Sequence, residues 1–305
     1  MVMLDKFWES ISSNLADRWL EYVFGPAFLF WFLGLGIYFW HKDWETLYNY
    51  FISLSAFQQG IRIAFSFLIL IGSSIVTQSL RFPVLRFMEG YWVWPFNYLT
   101  VGIAEFRKRY FQSQYSQLRK LKDVEQAGKL KENEIGYLMQ LEQWAHWNPV
   151  KKEDLLPTAF GNILRAREQS PERKYGLDAM ICWPRLWFLL PENVRSDLEG
   201  ARISLDRLVE LWFWGLLFLV WAIITPWAIA LSLIWMFFAY SIALQSAKVY
   251  GELLEAAFDL YRLLLYDASN WARPTNIEKE KEFGKQLTEF LWRGTPPKLL
   301  VFVKD

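Results

Sequence analysis

The sequence predicts an all-α polytopic membrane protein with four transmembrane helices and a helical cytoplasmic domain. Three observations carry this. The 305-residue chain holds three long charge-free stretches, two of single span length and one of double length. The charged remainder repeats its apolar residues at helical spacing and shows no extended alternation. Lys and Arg are divided unevenly among the segments between the apolar stretches.

Composition alone does not decide the class. The chain is 53% hydrophobic and 19% aromatic, close to the about 45–50% apolar content of soluble domains, so distribution matters more than total. The net charge of +1 gives no bulk field for nucleic acid, which is not an expected partner. Cys182 is the single cysteine, which excludes an intrachain disulfide. The first 20 residues carry Asp5, Glu9 and Asp17 and lack the apolar core of a cleavable signal peptide. Residues 1–21 read as a cytoplasmic amphipathic segment.

The apolar stretches follow in order. Residues 22–40, "YVFGPAFLFWFLGLGIYFW", are 19 residues without a charge, and a span needs about 17–25. Aromatic residues crowd the end ahead of His41 and Lys42, as at a membrane interface. Residues 63–80 are 18 uncharged residues bracketed by Arg62 and Arg81. Together, 22–80 form a first transmembrane pair. Residues 211–247 are 37 without a charge. One straight helix of that length would reach about 55 Å, nearly twice the hydrocarbon thickness. Thr225-Pro226-Trp227 lies inside it, and proline breaks or kinks a helix. The expectation is a hairpin of spans 208–225 and 227–246 within a second membrane segment, 208–247. A single long helix kinked at Pro226 is the alternative.

Orientation follows from the basic residues. Of 33 Lys and Arg, 20 lie in 81–207, nine after 247 and two in residues 1–21. The loop between the first two spans has only Lys42 and Arg62, and the Pro226 turn has none. Both termini, the central domain 81–207 and the helical C-terminal segment 248–305 are therefore expected in the cytoplasm.

The central domain reads as helices. Ile103, Phe106, Tyr110, Leu118 and Leu121 recur at helical spacing, in a helix ending near Gly128. Residues 132–147 form a second helix, stopped by Asn148-Pro149. A third runs over 158–169, then a turn at Ser170-Pro171. From Pro191 a helix runs straight into the third span, and 247–268 continue the fourth. The stretch "ICWPRLWFLL" (181–190) is too short to span and contains Pro184 and Arg185. Two readings stand. It is a buried corner of the helical domain with Trp183, Trp187 and Phe188 in its core, or an interfacial segment with tryptophans at headgroup depth and Arg185 on phosphates. Asp178 and Arg185 are candidate ion-pair members in either reading, and Cys182 reads as a buried small hydrophobe.

The run "LLPTAFGNILRAREQSPERKYGLDAMICWPRLWFLLP" (155–191), with "AAFDLYRLLLY" (256–266), resembles a group of uncharacterised bacterial membrane proteins that share a similar "PT..GN..RA.E..P..RYGLD....WPRLW..LP" pattern. The likeness covers about 50 of 305 residues. It implies a bacterial inner-membrane protein and carries no activity.

Enzymatic chemistry finds no support. His41 and His146 fall on opposite expected sides of the membrane, and Cys182 has no His or Cys at ligand spacing, so no metal is expected. No phosphate-loop, dinucleotide, zincin or nucleophile-elbow motif occurs, and no cofactor is implied. Glu132/Glu134 and Glu153/Asp154 sit in solvated charged runs. The spans contain no ionisable residue of the kind that proton or ion coupling uses. One span carries a polar stripe. At 100° per residue, Arg62, Ser66, Ser73 and Thr77 fall within about 60°, with Ile69 on the same line. Such a stripe faces another helix, using Gly72-Ser73 as a small-residue contact, or it faces water. In the second case several copies would form a pore with Ile69 or Leu70 as constriction and Arg62 favouring anions. The expected function is thus an oligomeric, anion-leaning channel regulated by the cytoplasmic domain. The alternative is a non-conducting membrane scaffold or complex subunit. Expected partners are membrane lipid, further copies of the chain, and a cytoplasmic protein or small ligand.

Overall fold

The computed structural model describes residues 25–41, 44–92 and 97–294. The expected segment 1–21, the first residues of the first span and residues 295–305 lie outside these. The described residues are mostly helical, with no strand among them. They divide into two units, the described residues of 1–85 with 206–242, and those of 86–205 with 243–305.

In unit 1, α1 spans Pro26–His41, α2 spans Trp44–Ser53 and α3 spans Ala56–Ser79. Helix α1 has 16 residues, about 24 Å, shorter than the about 30 Å of a bilayer core. Helix α3 begins earlier than the apolar run because Ser55 caps it. The Ser55 hydroxyl accepts from the Gln58 amide, and the Gln58 side chain accepts from the Ser55 amide, a reciprocal capping box. Arg62 therefore lies inside the helix. α4 spans Arg81–Glu89 and begins in this unit. Its Arg81 reaches the carboxylate of Glu210 at 3.0 Å.

The C-terminal part of α10 (Glu192–Leu217), a 3-10 turn over Phe218–Ile223 and the first part of α11 (Trp227–Tyr261) complete unit 1. Pro226 separates the two helices. The Ser232 hydroxyl donates to the Gly215 carbonyl at 2.6 Å, and Phe218 lies 5.8 Å from Trp235. In one kinked helix, residues 17 apart would stand about 25 Å apart, so this segment is a hairpin. Ala27, Phe30, Trp214, Phe218 and Ala228 form the core of the unit.

Helices α3 and α11 are the two, among the described residues, long and apolar enough to cross a membrane. Only 11% and 22% of their apolar windows are buried inside the chain. Neither is therefore the covered core helix that satisfies the same criterion in a water-soluble fold.

In unit 2, α5 (Asn97–Gln126) ends before Gly128 in the left-handed conformation, φ 66°, the usual glycine stop. α6 (Glu132–His146) packs on it through Leu118, Leu138 and Leu141. α7 (Ala159–Glu168) starts at Thr158, whose hydroxyl accepts from the Gly161 amide. Ser170-Pro171 is not a bare turn. It opens the short helix α8 (Ser170–Tyr175), because proline suits the first helical turn. α9 (Ala179–Leu189), α12 (Leu263–Ala268) and α13 (Ile277–Arg293) enclose the main core with the remaining parts of α10 and α11.

One glycine shows how tightly α7 is seated. A Cβ on Gly161 would lie 2.0 Å from the Glu89 carbonyl oxygen, whereas one on Gly136 meets nothing within 4 Å. Gly161→Ala is expected to cost about 1–3 kcal/mol, as overpacking does. Gly136→Ala should stabilise by up to about 1 kcal/mol through helix propensity. Thermal unfolding of the purified protein measures both; equal effects of one sign would contradict this seating.

Candidate functional site

The polar stripe of α3 divides into two halves. Arg62 and Ser66 are exposed, and Ile69 is 38% exposed. The Arg62 guanidinium donates to the Tyr50 hydroxyl at 3.0 Å and lies 5.1 Å from that ring. The Ser66 hydroxyl donates to the Arg62 carbonyl. Further along, Leu70 is half-buried, and Ser73 accepts a hydrogen bond from Trp31 Nε1 of α1 at 3.1 Å. Thr77 is 4% exposed, and its hydroxyl donates to the Ser73 and Ser74 carbonyls. The C-terminal half of the stripe is thus packed within the chain, and the N-terminal half is exposed.

The 178–187 corner is helical, and its residues have structural partners. Asp178 caps α9, its carboxylate accepting from the amides of Met180 at 2.8 Å and Ile181 at 3.2 Å. Arg185 donates to the Ile181 carbonyl at 2.6 Å and to the Leu291 carbonyl at 3.1 Å, closing the end of α13 as cations do. Asp178 and Arg185 do not pair with each other; backbone groups satisfy both. Cys182 and Leu186 are fully buried. Trp183 and Trp187 are half-buried against that core, with Trp183 5.8 Å from Phe258. Phe188 is not in the core but 80% exposed. Helical rotation places it opposite the arc of Cys182, Leu186, Trp183 and Trp187.

Sequence reasoning missed a buried ion network in unit 2. Arg167, 0% exposed, pairs with Glu255. The same carboxylate accepts from Ser170 Oγ at 2.5 Å and Lys174 Nζ at 2.7 Å. Lys174 also reaches Asp259 at 2.9 Å, and the Tyr175 hydroxyl donates to Asp259 at 2.7 Å. Arg262 lies 4.0 Å over the Tyr175 ring and donates to Glu280 at 2.6 Å. Three cations thus meet three carboxylates. Gly251 makes room, since a Cβ there would stand 2.4 Å from Arg167 Cγ. The signal was available: Glu255, Asp259 and Arg262 recur at helical spacing on the apolar face of "ELLEAAFDLYR".

Burial alone would push the Glu255 carboxyl up. Hydrogen bonds from Lys174 and Ser170 and the charges of Arg167 and Lys174 overcome this and hold it at about 2. Beside the network lies a cleft of about 710 Å³, lined by Phe106, Tyr110, Trp144, Trp147, Asn162 and Lys248 among others. Arg167 and Lys248 both lie over the Trp147 ring, at 4.8 and 5.4 Å, within cation–π range. The volume falls within the range of small-molecule clefts. Among the described residues no group of three His, Cys, Asp or Glu stands together as a metal site.

Glu255→Gln should leave Arg167 uncompensated and cost about 3–5 kcal/mol, as breaking a buried pair does. Because the native carboxyl is held below its unfolded value of about 4.3, its contribution is complete above that value and is lost as pH falls toward 2. Unfolding followed from pH 6 down to pH 2 should show a smaller acid loss in the variant than in the parent. Identical acid profiles would remove Glu255 from the network.

No protein-family model, curated protein or solved structure matches the chain.

Proposed function

We propose that the chain is a four-span integral membrane protein with both termini and unit 2 in the cytoplasm. It acts as the membrane subunit of a complex, docking cytoplasmic partners without itself forming a pore. The observation that carries this is the Trp31–Ser73 hydrogen bond with the burial of Thr77. It uses the deeper polar positions of α3 for packing between helices, the ordinary role of hydroxyls at membrane depth. Exposed aromatic and apolar side chains on unit 2, such as Phe106 at 74% and Met180 at 79%, suit a docking surface.

A second reading has its own support. Arg62, Ser66 and Ile69 are exposed on an otherwise apolar helix, which fits copies assembling around α3 as an anion-leaning channel narrowed at Ile69 and Leu70. A ring closed by rotation would be required.

Topology is tested first. In a Cys182→Ala background, cysteines placed at Asn49 and Lys129, both exposed, should label from opposite sides of the membrane. Labelling of both from one side would sink the four-span arrangement.

Packing and conduction are then separated in proteoliposomes. In the subunit reading, Trp31→Phe and Ser73→Ala each lower stability, with a coupling of about 0.5–3 kcal/mol in the double-mutant cycle, and anion flux stays at that of empty liposomes. Flux above that level, raised by Ile69→Ala with Leu70→Ala and shifted toward cations by Arg62→Glu, would overturn it in favour of the channel.

A further inference from the structure

Unit 2 contains a cleft lined by more cations than carboxylates. It has a volume of about 240 Å³ and is lined by Lys151, Arg173, Lys281 and Lys285, together with Asp154 and Glu172. Four cations against two carboxylates leave a local excess of two positive charges. Asp154 is also engaged by Arg165 at 3.6 Å. Among the described residues none of the four cations has an ion-pair partner.

The convergence is built by the backbone. A Cβ on Gly176 would lie 2.1 Å from the Lys281 carbonyl oxygen and 3.0 Å from the Lys285 amide nitrogen. A Cβ on Gly284 would lie 2.0 Å from the Tyr175 carbonyl oxygen. Two glycines thus let α13 touch the end of α8 main chain to main chain. Gly176, with φ at 75°, also needs the left-handed conformation that glycine tolerates. This contact sets the Lys281 and Lys285 backbones beside the helix that carries Arg173. Like charges brought together repel, and a bound anion would relieve that repulsion. Ammonium and guanidinium groups around a small cleft match the several oxygens of a phosphoryl group, which takes charge-assisted hydrogen bonds from more than one direction.

We propose that this cleft binds a phosphate-bearing anion, held by Arg173, Lys281, Lys285 and Lys151. The same chemistry comes from a free phosphorylated small molecule or from the headgroup of an anionic lipid. Binding of a free phosphate does not depend on the membrane topology proposed above, so failure of the four-span reading leaves it standing.

The test uses the full chain in neutral detergent. In one arm, inorganic pyrophosphate is titrated by calorimetry at low and moderate salt. In the other, native mass spectrometry measures retention of phosphatidylglycerol against phosphatidylcholine. Saturable, salt-sensitive pyrophosphate binding supports a free ligand, and selective retention of phosphatidylglycerol supports a headgroup. In either arm Lys281→Gln with Lys285→Gln should weaken binding about 100-fold, roughly tenfold for each charge-assisted contact removed. Lys129→Gln with Lys131→Gln, elsewhere on the surface, should leave it within about twofold, below the effect of one such contact. Circular dichroism confirms that both variants are folded. If neither probe binds, or if binding is insensitive to the Lys281 and Lys285 changes, the proposal is overturned.

Discussion

Arg167 has no exposed surface, yet it carries a full charge. A guanidinium out of water costs several kcal/mol unless a carboxylate meets it in good geometry. Glu255 supplies that carboxylate, and its remaining capacity is taken by Ser170 and Lys174. The demands then spread outward. Lys174 and Tyr175 draw in Asp259, and Arg262 joins the Tyr175 ring to Glu280. Helices distant in sequence, α7 and α8 on one side and α11 and α13 on the other, are held in register by one charge that must not be left alone. Apolar packing around Phe258 and Leu265 supplies most of the burial. The ion network selects which helix faces meet.

The conspicuous run 155–191 is explained largely by packing. Thr158 caps α7 and donates to the Glu89 carbonyl at 2.8 Å. Gly161 clears that same carbonyl. Asn162 exchanges two hydrogen bonds with the main chain of Leu156. Gly176 admits α13, Asp178 caps α9, and Arg185 closes α13. These positions build the helical fold of unit 2, and a pattern made of such residues reports architecture before chemistry.

The local features were legible. Gly128, Asn148-Pro149, Thr158 and Pro226 each act through the backbone of their neighbours, so sequence spacing reveals them. Features that depend on a partner far along the chain were not. The helical wheel of α3 located its polar face but could not say that Trp31 would occupy the Ser73 end and leave the Arg62 end open. Phe188 looked like core because its neighbours are apolar; the register of α9 turns it outward. Arg185 sought a carboxylate on paper and found carbonyls instead. The network escaped notice because its partners are far apart in sequence, 88 residues for Arg167 and Glu255 and 85 for Lys174 and Asp259; periodicity shows the Glu255, Asp259 and Arg262 stripe but not what meets it.

Cys182 has a consequence of a practical kind. It is the only thiol in the chain, it is fully buried, and it touches Thr288 Oγ1 at 3.7 Å. Burial pushes its pKa up to about 11, so the reactive thiolate is scarce at neutral pH. An alkylating reagent can reach it only when the core around α9 opens. Its rate of modification is therefore a clock for local breathing of unit 2, readable in the intact protein without any introduced label.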